Sequence, residues 1–361
     1  MKNDVKLLAF HLPQFHTFAE NDAWWGEGFT EWVNVKKAKP FFPSHNQPRV
    51  PLDEYYYCLL EESALRRQMD LAREYGVYGF CYYHYWFDGK LLMEKPLERM
   101  LQMEDRLPYC FCWANEPWTR AWDGKTSTVL MPQRYGGEQE WEAHFRYLLP
   151  FFRDSSYIQV EGKPVLVLYR TNDIPNCEEM IAYFHKRCRE SGFDGIYLVE
   201  EKNGFQDRLC CQNADAILNF EPMYTLKYGR SFLGRVVDKL HRKAMNRLHS
   251  NRLLVYRYDA VWKRILKRRR CVPEGKQEFR GGFVDWDNSP RKQDRGLVIL
   301  GASPEKFRRY LGKQLKLARA EGSEFVFLNA WNEWAEGTYL EPDTRNGYGY
   351  LEAIRALTNE E

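Results

Sequence analysis

Two glutamates three residues apart, Glu333 and Glu336, lie in the tract Asn329-Ala330-Trp331-Asn332-Glu333-Trp334-Ala335-Glu336-Gly337, directly after the strand-like run Phe325-Val326-Phe327-Leu328. A glycosidic bond breaks when one carboxylic acid protonates the leaving oxygen while a second carboxylate handles the charge or nucleophile on the other side. Trp331, Asn332 and Trp334 surround the pair with ring faces and an amide suited to sugar rings and hydroxyls. On a helix begun after that strand the two glutamates share one face, with Cβ atoms about 5–6 Å apart.

Other clusters offer rival chemistry. Asn115-Glu116-Pro117 resembles the Asn-Glu-Pro of large retaining glycosidase barrels, but it follows the third strand-like run and the glutamate pair follows the eighth. Those enzymes use strands four and seven, so Glu116 is read as substrate-binding or supporting. Asp285-Trp286-Asp287 is an Asp-x-Asp, a spacing that glycosyltransferases use to hold a metal and a sugar diphosphate. At a strand end it serves equally as a pair of sugar-hydroxyl acceptors. His11, His16 and His84 have no metal-ligand spacing, so no metal and no cofactor is expected.

The elements that must position these groups follow from periodicity. Short apolar or β-branched runs occur at 6–11, 77–83, 109–113, 165–169, 196–199, 216–220, 282–285 and 325–330. Helix-period stretches lie between them, among them 61–75, 91–103, 138–152, 178–191 and 304–321, with a last one near 350–357. Such alternation implies a parallel sheet covered on both faces, and eight strands with eight helices make an α/β fold, a (β/α)8 TIM barrel. A doubly wound sheet would need a Gly-rich phosphate turn, and neither a Walker A sequence nor G-x-G-x-x-G occurs. Barrel enzymes build their sites where strands end, and these runs end in or beside His11, His16, Tyr83, His84, Trp113, Asn115, Tyr169, Asp285 and Asp287.

Composition fits a folded catalyst of 361 residues rather than a disordered chain, with 16% aromatic residues, many clustered as in Tyr82-Tyr83-His84-Tyr85-Trp86-Phe87. The chain is read as a single domain over 1–361, with long loops at 24–57 and 118–137 and a basic helical insertion at about 225–270. The opening run is too short for a signal peptide and no stretch reaches 18 apolar residues. Nine cysteines without ligand spacing suggest a reducing compartment. The expectation is a soluble, cytoplasmic protein, associated with the inner face of a membrane through the basic segment.

That segment, 227–270, carries fifteen Lys or Arg against Asp238 and Asp259, a net +13 on a chain of net +3, so the remainder holds about −10. Phe232, Leu233, Val236, Val237, Leu240, Ala244 and Leu248 recur at helical spacing, an apolar stripe beside a basic face. Such a helix suits an anionic lipid surface or a lipid-linked glycan, with Lys267, Arg268, Arg269 and Arg270 among the basic side chains. No nucleic-acid motif accompanies the charge, and no nucleic-acid partner is expected.

Several strings together resemble the WbsX-like proteins, which belong with the glycoside hydrolase family 99-like domain and occur in bacterial O-antigen and capsule gene sets. They are His11-Leu12-Pro13-Gln14-Phe15-His16, Trp24-Trp25-Gly26-Glu27-Gly28-Phe29-Thr30-Glu31-Trp32, Cys112-Trp113-Ala114-Asn115-Glu116-Pro117-Trp118, Trp286-Asp287-Asn288 and the tract around Glu333. The resemblance implies a (β/α)8 barrel and an oligo- or polysaccharide substrate. It adds Gln14, Trp25 and Trp118 to the expected sugar-binding residues. Family 99 relatives are retaining endo-acting α-mannosidases and mannanases in which one glutamate of a Glu-x-x-Glu deprotonates the sugar 2-hydroxyl and the other protonates the leaving oxygen. Carried over, Glu333 is the base and Glu336 the acid/base. The family's name implies the alternative, a glycosyltransferase of lipopolysaccharide or capsule synthesis.

Overall fold

Each of the eight apolar runs becomes a strand because its side chains are buried on both faces, one set inside the barrel and one under the helices. The strands are β1 (Lys6–His11), β2 (Gly79–Phe87), β3 (Tyr109–Trp113), β4 (Lys163–Leu168), β5 (Tyr197–Lys202), β6 (Ala216–Asn219), β7 (Gln277–Phe283) and β8 (Phe325–Asn329). Neighbours in sequence pair in parallel all the way round, and β1 closes the ring by pairing with both β2 (Leu8 opposite Gly79) and β8 (Lys6 opposite Phe325). The result is a (β/α)8 barrel. This computed structural model describes residues 5–120, 128–205, 211–229, 252–269 and 272–359, with Gly234, Val236, Leu240 and Lys243.

Helices in chain order are α1 (Ala19–Trp25), α2 (Glu31–Lys37), α3 (Glu62–Glu74), α4 (Lys95–Leu101), α5 (Glu138–Phe152), α6 (Cys177–Glu190), α7 (Met223–Tyr228), α8 (Tyr258–Lys267), α9 (Ser289–Lys292), α10 (Pro304–Ala320) and α11 (Gly349–Asn359). The long ones form where the 3.6 period is cleanest. In α5, Trp141, His144, Phe145, Leu148, Phe151 and Phe152 make one buried stripe. In α10, Pro304 occupies the first turn and the Ser303 hydroxyl accepts the Lys306 N–H.

The expectation of one helix after every strand is corrected. The β5–β6 connection has no helix among its described residues, and the long first loop expected at 24–57 holds α2 and the end of α1. The basic segment is more than one surface helix. Its described end forms a strand, Leu254–Arg257, parallel to Leu297–Leu300, and then α8. Of the apolar stripe, Phe232, Leu233, Val237, Ala244 and Leu248 lie outside the described residues, while Val236 and Leu240 are helical and 41% and 63% exposed. No described helix is long and apolar enough to cross a membrane.

Aromatic side chains fill the barrel. Phe10 stacks on Tyr83 at 5.4 Å and meets Phe220 and Phe327, while Phe279 links Phe325 and Phe327. At Gly281 the strands come so close that a Cβ would lie 1.9 Å from the Asn219 carbonyl oxygen, so only glycine fits. A second core joins α8 to β7 and α10, where the Trp262 ring lies 5.3 Å from Phe283 and 5.8 Å from Tyr310, nearly parallel to both. Trp262→Ala should lower the unfolding free energy by about 3–5 kcal/mol in urea titrations. A loss below about 1 kcal/mol would contradict this packing.

Candidate active site

The glutamate pair sits on a hairpin rather than on a helix. Asn332–Glu333 pairs antiparallel with Thr338–Tyr339, and a 3-10 turn, Trp334–Glu336, closed by Gly337 at φ 63°, joins them. The helical expectation fails because Gly337 reverses the chain and the Asn332 side chain is tied to β1, accepting from Leu12 N at 2.7 Å and donating to Leu12 O at 3.0 Å. Residues three apart align in a 3-10 turn, so both carboxylates still face one way. Trp334 anchors the turn from below, stacked 3.8 Å from Tyr339 and donating its indole N–H to Glu341 at 2.6 Å.

One guanidinium meets both glutamates. Arg291, on α9, donates Nη1 to Glu336 Oε1 at 2.7 Å, Nη2 to Glu333 Oε2 at 3.1 Å and Nε to Glu31 Oε1 at 2.7 Å. Glu31, at the start of α2, is wholly buried. Burial raises the Glu333 pKa to about 8, reinforced by the like charges of Glu336 and Glu31 and opposed by Arg291. Burial also raises Glu31, against the pull of Arg291. Glu333 and Glu31, two buried carboxylates beside one cation, therefore hold a proton more tightly than free carboxylates do.

The rim is built from other strand ends. The Tyr83 and Tyr85 hydroxyls lie in the field of Glu333, Tyr169 in the fields of Glu116 and Glu336, and burial raises all three above the usual phenol range. Glu116, raised by burial, pairs with Arg170, which also faces Asp173. Glu201, at the end of β5, is fully buried, pushed well up by burial, and accepts from Cys112 Sγ. Trp24, Trp118 and Tyr85 form a wall, with ring centres 5.6 and 5.5 Å apart, and Arg120 lies over Trp25.

The structure therefore brings Glu333, Glu336, Tyr83, Glu116 and Tyr169 together, with Trp118 and Trp25 along one side. Other expected sugar contacts turn out to be packing. His11 bonds to Gln68 and its ring meets Phe80 and Tyr82; His84 bonds to His144 under α5. Burial lowers these two histidines, to about 4 and about 3. His16 bonds to the Pro13 carbonyl and Gln14 lies beside Asn21, both buried. Trp113, Trp286, Trp331 and Trp334 are at most 2% exposed, and Asn115 and Asn332 clamp backbone. Arg291, Glu31, Glu201, Tyr85 and Arg170 join this cluster from outside the set expected to bind sugar, although Tyr85 and Arg170 follow strand-like runs in the sequence. Glu31 and Tyr85 lay inside marked strings, whereas nothing local singled out Arg291.

Asp285 and Asp287 are already engaged by the first loop. Arg49 Nη2 lies 2.9 Å from Asp285, and Asp287 accepts from His45 Nε2 and Gln47 Nε2, each at 2.7 Å. These donors, led by His45, hold the Asp287 pKa down near 2 against its burial. Among the described residues no three His, Cys, Asp or Glu side chains converge as a metal site. Two of the basic residues read as lipid-facing also change: Arg268 is turned inward onto Glu221, and Arg270 lies outside the described residues.

A closed barrel with paired carboxylates at the strand ends is the architecture of carbohydrate-active (β/α)8 proteins. The family model of the WbsX glycosyltransferases matches residues 7–354, and the chain belongs to that family. Proteins named WxcX from two strains of Xanthomonas campestris pv. campestris are each 38% identical, over 98% of this chain and 49% of theirs. The chain thus spans about half the length of these curated relatives. The fold is shared with a GH99 endo-α-mannosidase from Bacteroides thetaiotaomicron (TM-score 0.54, 12% identity, 99% of this chain and 97% of that one). It is also shared with a glycoside hydrolase-like protein (TM-score 0.58, 13% identity, 98% and 94%).

Arg49 also donates to the Gly337 carbonyl at 3.0 Å, so it holds the first loop to the Glu-x-x-Glu turn. Arg49→Met leaves buried Asp285 unpaired and should cost about 3–5 kcal/mol at neutral pH by urea unfolding. Burial raises the Asp285 pKa, so the penalty should shrink as pH falls and the carboxyl takes a proton. A penalty that grows on acidification would contradict this.

Proposed function

We propose that the chain cleaves or transfers within an α-linked, mannose-type bacterial surface glycan by retaining chemistry, with Glu333 as base and Glu336 as acid/base. The carrying observation is the Glu-x-x-Glu turn whose two carboxylates share Arg291 at the barrel mouth. Glu333 removes the proton of the sugar 2-hydroxyl, and that oxygen attacks C1. The C1 to leaving-oxygen bond breaks as Glu336 delivers its proton, giving a 1,2-anhydro sugar. Water or an acceptor hydroxyl, deprotonated by Glu336, then opens that ring at C1 while Glu333 returns its proton to O2. A 2-hydroxyl is a weak acid, and a carboxylate with a pKa near 8 is a much stronger base than an ordinary one. Membership of the WbsX family and the barrel shared with an endo-α-mannosidase support the reading.

Glu333→Gln and Glu336→Gln should each cost at least roughly 10²-fold in turnover of α-mannoside oligomers with little change in melting temperature. Full turnover in both variants would move the chemistry elsewhere. As Glu333 must be ionised while Glu336 still holds a proton, kcat/KM should be bell-shaped and fall as pH rises through about 8, where the pair loses its last proton; a profile level from about pH 6 to about pH 10 would remove the pair from these roles.

The second reading is a glycosyltransferase of lipopolysaccharide O-antigen or capsule synthesis at the cytoplasmic face of the membrane, favoured by the family's description. The exposure of Val236 and Leu240, and of Lys243, Lys263, Lys267 and Arg269 in the same segment, supports contact with anionic lipid. Each such cation is worth about 1 kcal/mol near an anionic surface. Co-sedimentation should occur with anionic but not neutral vesicles, and weaken with salt and on replacing Lys243, Lys263, Lys267 and Arg269 by Gln. Equal pelleting with neutral vesicles, or none, would end the membrane contact.

A further inference from the structure

Arg291 and Glu31 are drawn from two separate loops, and neither belongs to the proposed acid–base pair. Glu31 opens α2 in the first βα loop, its N–H donating to the Gln14 carbonyl at 3.3 Å. Arg291 stands on α9, whose start is fixed by Asp287 accepting the Ser289 N–H at 3.1 Å. Wholly buried, Glu31 leaves Oε2 with no hydrogen bond and spends Oε1 on Arg291 Nε. With Nε so pinned, the planar guanidinium has its two terminal nitrogens set, one per catalytic carboxylate. Lysine has no such fork.

We propose that Arg291 and Glu31 are positioning residues that act as one unit: Glu31 orients the Arg291 fork, and the fork spaces Glu333 and Glu336 and governs which of them carries the proton. The proposal rests on the acid–base reading of the pair. Charges act on Glu333 from every side. Arg291 favours its ionised form, whereas Glu31 and Glu336 oppose it. Tyr83 and Tyr85 face it from β2, and Glu116 faces Glu336, with Lys292 and Arg170 beside Glu116. A side chain that merely fills space would not make the two substitutions act in opposite directions.

Carboxyl titration by NMR on the unliganded, glutamate-labelled protein tests this without any substrate. One carboxyl should titrate near pH 8 and vanish in Glu333→Gln. Its midpoint should fall by about half a unit or more in Glu31→Gln, where a like charge is lost, and rise by at least as much in Arg291→Gln, where the cation is lost. Arg291→Lys, which keeps the charge and loses the fork, should restore the midpoint in part yet leave kcat at least tenfold down with KM little changed. Absence of a high-pH carboxyl, unmoved midpoints in folded variants, or shifts of one sign in both would overturn the proposal. So would unfolding of all three variants, which would make the cluster a prop of the fold. Inactivity of the wild type on mannosides would sink the proposed reaction and leave this titration unchanged, so the two failures are distinguishable.

Discussion

A single guanidinium shared by three carboxylates is the constraint on which the mouth of this barrel depends. Arg291 joins α9, α2 and the hairpin after β8, three pieces of chain that also pack on one another, as where Trp32 of α2 meets Trp334 of the hairpin. Breaking a buried pair of this kind is costly because the remaining charge cannot return to water. Keeping it costs too, since one cation cannot neutralise three anions. The compromise is a retained proton, and a proton held among carboxylates at a strand end is the raw material of acid–base chemistry.

The same logic separates the two acidic clusters of the mouth. Asp285 and Asp287 are met by Arg49, His45 and Gln47 within hydrogen-bond distance, so Asp287 stays ionised and holds the long first loop down. Glu333 and Glu336 must share their cation, so Glu333 is pushed the other way. Carboxylates of one chemistry thus shift in opposite directions, Asp287 held down by its close donors and Glu333 pushed up by burial. Arg49 connects the two through the Gly337 carbonyl, at the turn where a Cβ would press within 2.9 Å of Asp287.

The barrel was largely legible because eight apolar runs at regular spacing leave few other architectures, and β1 and β3 have the boundaries their hydrophobic limits suggest. The site was legible where chemistry was local, in a Glu-x-x-Glu at the last strand. It was not legible where the partners are distant: Arg291 meets Glu31 across 260 positions and Glu336 across 45. Aromatic residues misled for a different reason. Alternate residues of a strand face opposite sides, and Trp113 and His84 turn out to face α5 rather than the mouth. The tryptophans flanking the glutamates support the hairpin from beneath for the same reason, since a turn this short needs packed rings to hold its shape.

Whether Glu333 and Glu336 act on a sugar at the barrel mouth is tested most directly by a crystal structure with an α-mannoside oligomer bound. Glu333 is expected about 2.6–3.2 Å from the 2-hydroxyl of the sugar at the cleavage point, with Glu336 at similar range from the glycosidic oxygen. A sugar bound with its 2-hydroxyl turned away from Glu333, or a sugar-nucleotide diphosphate lying across the pair, would contradict it.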